Sequence, residues 1–229
     1  MDWLDSIGVN TPEDEHLESL NIVSEDDIWM SQRLGKFTSS KIGALMSKGR
    51  GKDKEWGQMA MSYIYTKIAE KMTGVPHYTP ETNAMQWGTD HEAEAIEYYN
   101  NVTGNDATPM GKVFIEFNDN CGGSPDGFVG EDGVIEVKCP YNSANHIETF
   151  IEKTMKKEYF YQCQGNMLFT GRKWCDFISY DPRMPENMQM VIIRVERDDE
   201  VCNSIAERIQ KAAEKIIEIQ EKTGIDLKF

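Results

Sequence analysis

Apolar residues in this chain change their spacing partway along, and that change limits the folds open to it. From 58 to 72, Met59, Tyr63, Ile64 and Ile68 recur at helical intervals, and from 83 to 100 Trp87, Ala95, Ile96 and Tyr99 do the same. The period then shortens. Segments 112–117 and 133–138 read as strands, the second rich in Val and Ile, with a turn at Asn118-Asp119-Asn120 after the first. Helical spacing returns over 143–167, broken near Lys157, and two more strands follow at 174–180 and 188–197. A closing helix over 199–223 sets Val201, Ile205, Ile209, Ala212 and Ile216 on one face. At the front, residues 1–28 form a polar, acidic arm. Thr38-Ser39-Ser40 can cap a helix reaching Met46, and Gly49-Arg50-Gly51-Lys52 reads as a mobile basic loop. No repeat or linker divides the chain. The expectation is one mixed α/β domain over 1–229, with a central mixed sheet flanked by helices.

Composition removes whole classes. With 229 residues, 39% of them hydrophobic, the chain has material for a sizeable core and is neither collagen-like nor largely disordered. No apolar run nears the roughly 18 residues of a membrane span. The opening Met1-Asp2-Trp3-Leu4-Asp5 has no basic and apolar leader. Five scattered cysteines, at 121, 139, 163, 175 and 202, make no CxxC pair, which argues against a zinc knuckle or a disulfide framework. A reduced, cytoplasmic protein is expected.

Net charge is −15, which alone speaks against a polyanion partner, but the charge is unevenly spread. Residues 1–31 hold nine acids and no Lys or Arg, whereas 32–54 hold seven bases and one acid. A basic island on an acidic body suits a confined phosphate site. A solvated lysine-rich loop gives the same pattern, and charge does not choose between them.

The densest chemical constellation runs from Ser124-Pro125-Asp126-Gly127 to Ile135-Glu136-Val137-Lys138-Cys139-Pro140. Glu136 and Lys138 are two apart on a strand and so share a face, while Val137 points to the other. The intervening glycines give Asp126 room to return to the same strand end. Two carboxylates beside a cation suit Mg²⁺ or Mn²⁺ held partly by substrate phosphate, which is the equipment of phosphodiester hydrolysis. The plainer alternative is a surface hairpin with an exposed ion pair. Glu92, early in a helix, could add a third carboxylate or simply favour the helix dipole. Gln162 and Gln164 could orient water or phosphate, but QxQ alone says little. Arg33, Thr38 and Ser40 at a helix start could receive a terminal phosphate, or the hydroxyls could serve only as caps.

Taken in order, these pieces resemble the lambda-exonuclease and YqaJ-like viral recombinase family of the PD-(D/E)xK nuclease superfamily. The matching residues are Trp29…Arg33-Leu34-Gly35…Thr38-Ser39-Ser40, Met61-Ser62-Tyr63, Trp87-Gly88…Glu92, Ser124-Pro125-Asp126-Gly127, Glu136-Val137-Lys138-Cys139-Pro140, Gln162-Cys163-Gln164 and Tyr180-Asp181-Pro182-Arg183-Met184, spanning about 29 to 197. The resemblance implies a restriction-endonuclease-like core and a 5′→3′ exonuclease. Such an enzyme degrades one strand of linear double-stranded DNA to mononucleotides and leaves a 3′ single strand for recombination by annealing.

By position, the resemblance gives Asp126, Glu136 and the Val137 carbonyl to Mg²⁺, with Mn²⁺ able to substitute. It gives Lys138 to the attacking water and Glu92 to support of the metal site. Arg33, Thr38, Ser40 and Ser124 would take the 5′-phosphate, and Arg50 the downstream duplex. It further implies a homotrimeric ring and a single-strand annealing partner, in a phage or prophage protein of a bacterial host. Rivals are a RecB-like, Cas4-like or structure-specific nuclease of the same superfamily, or a non-catalytic DNA-end-binding scaffold. Dispersed cysteines argue against the cluster-bearing Cas4 type, and an intact Asp126, Glu136 and Lys138 against the scaffold.

Overall fold

The computed structural model describes residues 24–49, 55–77 and 80–227. Its centre is a five-stranded sheet. Strands β2 (Ala107–Pro109), β5 (Gly127–Val129), β6 (Gly133–Lys138), β7 (Trp174–Tyr180) and β8 (Met190–Glu196) lie side by side in that order. Only β6 and β7 run parallel, in a register that pairs Glu136 with Phe177 and Lys138 with Ser179. The remaining neighbours are antiparallel. A second, three-stranded sheet orders β1 (Phe37–Thr38), β4 (Cys121–Gly123) and β3 (Ile115–Asn118).

Alternation along β6 divides the core. Ile135 and Val137 pack with Ala95, Ile96 and Tyr99 of α4 (Asn83–Thr103) on one face. Val134 packs on the other with Cys163 and Met167 of α6 (Lys157–Thr170). Glu136 and Lys138 follow the period of two and belong to this second side. Helix α6 is sandwiched between the two sheets, because Phe169 reaches the cluster of Phe37, Ile42, Leu45 and Cys121. That cluster is closed by α2 (Ile42–Leu45), α3 (Gln58–Thr73) and α7 (Asp199–Thr223), through Ile64 and Ile68 of α3 and Ile205, Ile209, Ala212 and Ile216 of α7.

The expected helices and long strands stand near their predicted ends; the differences lie in short elements. Helix α1 (Glu25–Arg33) begins inside the stretch read as an arm, started by a capping box in which Ser24 and Asp27 satisfy each other's backbone N–H. Residues 1–23 of that arm lie outside the described residues. Thr38 does not cap a helix. Parallel pairing of Phe37 and Thr38 with Cys121 and Gly122 makes this a strand, followed by a 3₁₀ turn over Ser39–Lys41 and only four residues of helix. The strand read from 112 begins at Ile115. The helical stretch from 143 is two helices, α5 (Ser143–Glu152) and α6, parted at Lys153, whose φ of 50° ends the first.

Candidate active site

Three consecutive short pieces set the site. Asp126 lies between β4 and β5 and is tied to β6 twice. Its backbone N–H donates to the Ile135 carbonyl at 3.2 Å, and its Oδ2 accepts from the Val137 N–H at 2.6 Å. Pairing of β5 with β6 thus brings the aspartate to Val137 without a long loop. Glu136 is fully buried, 0% exposed, and both of its oxygens are engaged. Oε1 takes the ammonium of Lys138, and Oε2 accepts from Asn166 Nδ2 of α6 at 2.9 Å. Glu92 of α4, Asp126, Val137 and Lys138 all line one cavity of about 810 Å³.

Electrostatics show how closely the charges crowd. Burial first, then the charges of Glu136 and Glu92, push the Asp126 carboxyl well above the usual carboxylate range, against the pull of Lys138 and the Val137 N–H. Glu92 is raised as well, by burial and by Glu136. Burial alone would lower Lys138, but Glu136 and Asp126 outweigh it and hold the ammonium charged. Among the described residues no three His, Cys, Asp or Glu side chains close into an all-protein metal cage. The donors that do converge are oxygens: two repelling carboxylates beside the Val137 backbone. That set fits Mg²⁺, which keeps waters and phosphate oxygens in its remaining positions, and a divalent cation would relieve the repulsion.

A second cluster adjoins the first. Arg33 Nη1 donates to Ser124 Oγ at 3.3 Å, and Trp29 Nε1 donates to the same oxygen at 3.1 Å. The guanidinium also lies 3.9 Å from the centre of the Trp29 ring. Ser124 stands two residues before Asp126, about 6.6 Å along an extended chain. Thr38 and Ser40 meet through their hydroxyls at 3.3 Å, and Thr38 also reaches Tyr63, whose Oη accepts from its backbone N–H at 2.9 Å. Burial lowers Arg33 from the usual guanidinium range, against the opposing influence of Tyr63 and Glu70, and burial pushes the Tyr63 phenol up to about 12. Gly123 sits at the junction of the two clusters. A Cβ there would stand 2.9 Å from Ser39 Oγ and 3.1 Å from Asn166 Oδ1.

Of the residues expected at the site, Glu92, Asp126, Glu136, Val137 and Lys138 come together, and so do Arg33 with Ser124 and Thr38 with Ser40. Gln164 is a correction. Its amide donates to the Glu196 carbonyl and accepts from the Asp198 N–H, so it holds the turn from β8 into α7. Gln162 is buried on α6, one turn before Asn166. Arg50 lies outside the described residues.

Sequence reasoning gave no role to Asn166, Tyr63 or Arg183. The last is bidentate with buried Asp181 and donates to the Pro140 and Tyr141 carbonyls, pinning the loop that follows β6. Tyr63 and Arg183 stood inside matched motifs; for Asn166 the only signal was its place one turn after Gln162. All five cysteines are free and buried.

No curated protein matches the sequence. The alkaline exonuclease of Laribacter hongkongensis is 35% identical, with a TM-score of 0.75 over 86% of this chain and 98% of that one. The same exonuclease solved in complex with dAMP superposes equally well. A phage-related exonuclease from Haemophilus somnus 129PT, 19% identical, matches 82% of this chain and 96% of its own with a TM-score of 0.69, and shares the restriction-endonuclease-like fold. Residues 28–173, the stretch that carries both clusters, match the YqaJ-like viral recombinase domain, and the chain belongs to that family.

Proposed function

We propose that this protein is a Mg²⁺-dependent exonuclease that degrades one strand of linear duplex DNA in the 5′→3′ direction, leaving a 3′ single strand for annealing. One observation carries the reading. The Arg33–Ser124 pair, suited to a terminal phosphate, stands two residues from the acidic cluster at Asp126, suited to a scissile one. That spacing supports removal of single nucleotides from an end, and the dAMP complex of the 35% identical exonuclease agrees with a mononucleotide product.

Asp126, Glu136 and the Val137 carbonyl would hold the metal, with Glu92 as support. A bound divalent ion supplies Lewis-acid polarisation of the phosphate and a more acidic water. Lys138, held charged by Glu136, orients that water and steadies the charge that develops on the phosphate oxygens. Arg33 and the Ser124, Thr38 and Ser40 hydroxyls seat the 5′-phosphate by charge-assisted hydrogen bonds. Family membership supports treating 1–229 as one exonuclease domain that forms a homotrimeric ring and works beside a single-strand annealing protein.

The test compares linear duplex bearing 5′-phosphate, linear duplex bearing 5′-hydroxyl and closed circular duplex, each with Mg²⁺ or EDTA. Mononucleotides should appear from linear DNA only, faster from phosphorylated ends, and not in EDTA. Equal digestion of circles would remove the exonuclease reading, and equal rates on the two linear ends would remove the role of Arg33.

A further inference from the structure

The cavity does not end at the carboxylates. Beyond Lys138 its wall continues through Tyr159 and Met155 to Lys156, on the segment joining α5 to α6. The Tyr159 ring is fixed by stacking on Phe177, centroids 5.4 Å apart at 22°. Two ammonium groups lie against it, Lys138 Nζ at 5.4 Å and Lys156 Nζ at 5.9 Å from the ring centre. A single aromatic ring is therefore shared by Lys156 and the lysine of the acidic cluster.

Lys153 and Lys157 flank it, each lying over an aromatic ring of its own. Eight lysines among the described residues meet a carboxylate. Lys153, Lys156 and Lys157 meet none there, although Glu152 and Glu158 bracket them in sequence and Glu148 lines the same cavity. In a chain with 39 acids against 24 bases, Lys156 is a cation on the wall of an anion-accepting cavity, with Lys153 and Lys157 beside it in sequence. They lie outside the basic island at 32–54.

We propose that Lys156 binds the backbone phosphate next to the scissile one on the strand being cut, with Lys153 and Lys157 raising the local potential. The strand being cut would then meet the protein at three successive phosphates: the terminal one at Arg33 and Ser124, the scissile one at Asp126, Glu136 and Lys138, and the next at Lys156. This rests on the nuclease reading above and extends it to the length of strand the site grips.

The experiment uses the full chain carrying Asp126→Asn, so that DNA is not consumed. Affinity for a 5′-phosphorylated duplex is followed by fluorescence anisotropy as salt rises. Lys156→Gln, at an exposed position, should weaken binding several-fold and flatten the logarithmic salt slope by about 0.7–0.9, the share of one neutralised phosphate. Lys156→Arg should restore both. A duplex with a neutral methylphosphonate at the second internucleotide linkage from the 5′ end should erase the difference between the proteins with and without Lys156→Gln. Unchanged slope and affinity in Lys156→Gln would overturn the proposal, as would a deficit that persists in full on the methylphosphonate duplex. If the Asp126→Asn protein binds no duplex at all, the nuclease reading fails and this phosphate site with it; binding with a slope that Lys156→Gln leaves unaltered sinks the Lys156 site alone.

Discussion

Asp126 is held in a state it would leave if it could. Its carboxyl is raised by burial and by the charges of Glu136 and Glu92, so ionisation costs the metal-free fold stability. The sign follows from linkage: the contribution favouring the fold is present below the usual carboxylate pKa and lost as pH rises through the elevated folded value. Asp126→Asn mimics the protonated form and can still accept the Val137 N–H bond. It should therefore raise Tm in EDTA at neutral pH while abolishing cleavage, and Mg²⁺ should stabilise the wild type but not the variant. A lower Tm for Asp126→Asn in EDTA would contradict the crowded-carboxylate picture. Asn166 is the complementary case. It is 0% exposed, and its Nδ2 holds Glu136 while its buried Oδ1 has no partner among the described residues. Asn166→Ala should cost about 1.5–3 kcal/mol, as for a hydrogen bond to a charged group, measured by urea unfolding, and should weaken the Mg²⁺-induced rise in Tm.

Among the elements, β4 does more than its three residues suggest. It pairs with β1 on one side and β3 on the other, and it leads directly to Ser124 and Asp126. Gly123 leaves room for Ser39 and Asn166, which a Cβ there would crowd, between the Arg33–Ser124 cluster and the acidic one. Gly123→Ala should cost about 1–3 kcal/mol by overpacking and narrow the rate advantage of 5′-phosphorylated over 5′-hydroxyl ends. A variant with wild-type Tm and an undiminished preference would show that the junction is slack. The period of two in β6 made the shared face of Glu136 and Lys138 legible beforehand. Strands of three residues, such as β2, β4 and β5, show no period at all, and their pairing partners alone define them. Helix α6 is buried on nearly every side, so its sequence carries no amphipathic stripe. Nothing local could say that Asn166 faces Glu136 while Gln164 faces the β8–α7 turn.

At the scale of the molecule, an acidic body must hold a polyanion in a confined place. Neutralising Arg50, Lys52 and Lys54 together should flatten the salt dependence of duplex binding by roughly 0.9 for each phosphate the variant no longer neutralises, with Arg50 accounting for the largest share. Anisotropy titrations across a salt series check this, and a triple variant with the wild-type slope would reduce the island to a solvated loop. A ring of three chains should sediment at three times the 26.2 kDa of one, and a monomer or dimer at assay concentration would exclude it. The sequence by itself determined the α/β class, the long helices and strands, and the pairing of Glu136 with Lys138, because each follows from the spacing of residues within one element. Ordered motifs also made the family legible. Only the tertiary structure decided that Arg33 meets Ser124 across 91 residues, that Asn166 braces Glu136, and that Lys156 shares a ring with Lys138. Those contacts join segments whose separation along the chain says nothing of their distance in space: pairing of β1 with β4 brings Arg33 toward Ser124, and the packing of α6 against β6 brings Asn166 to Glu136.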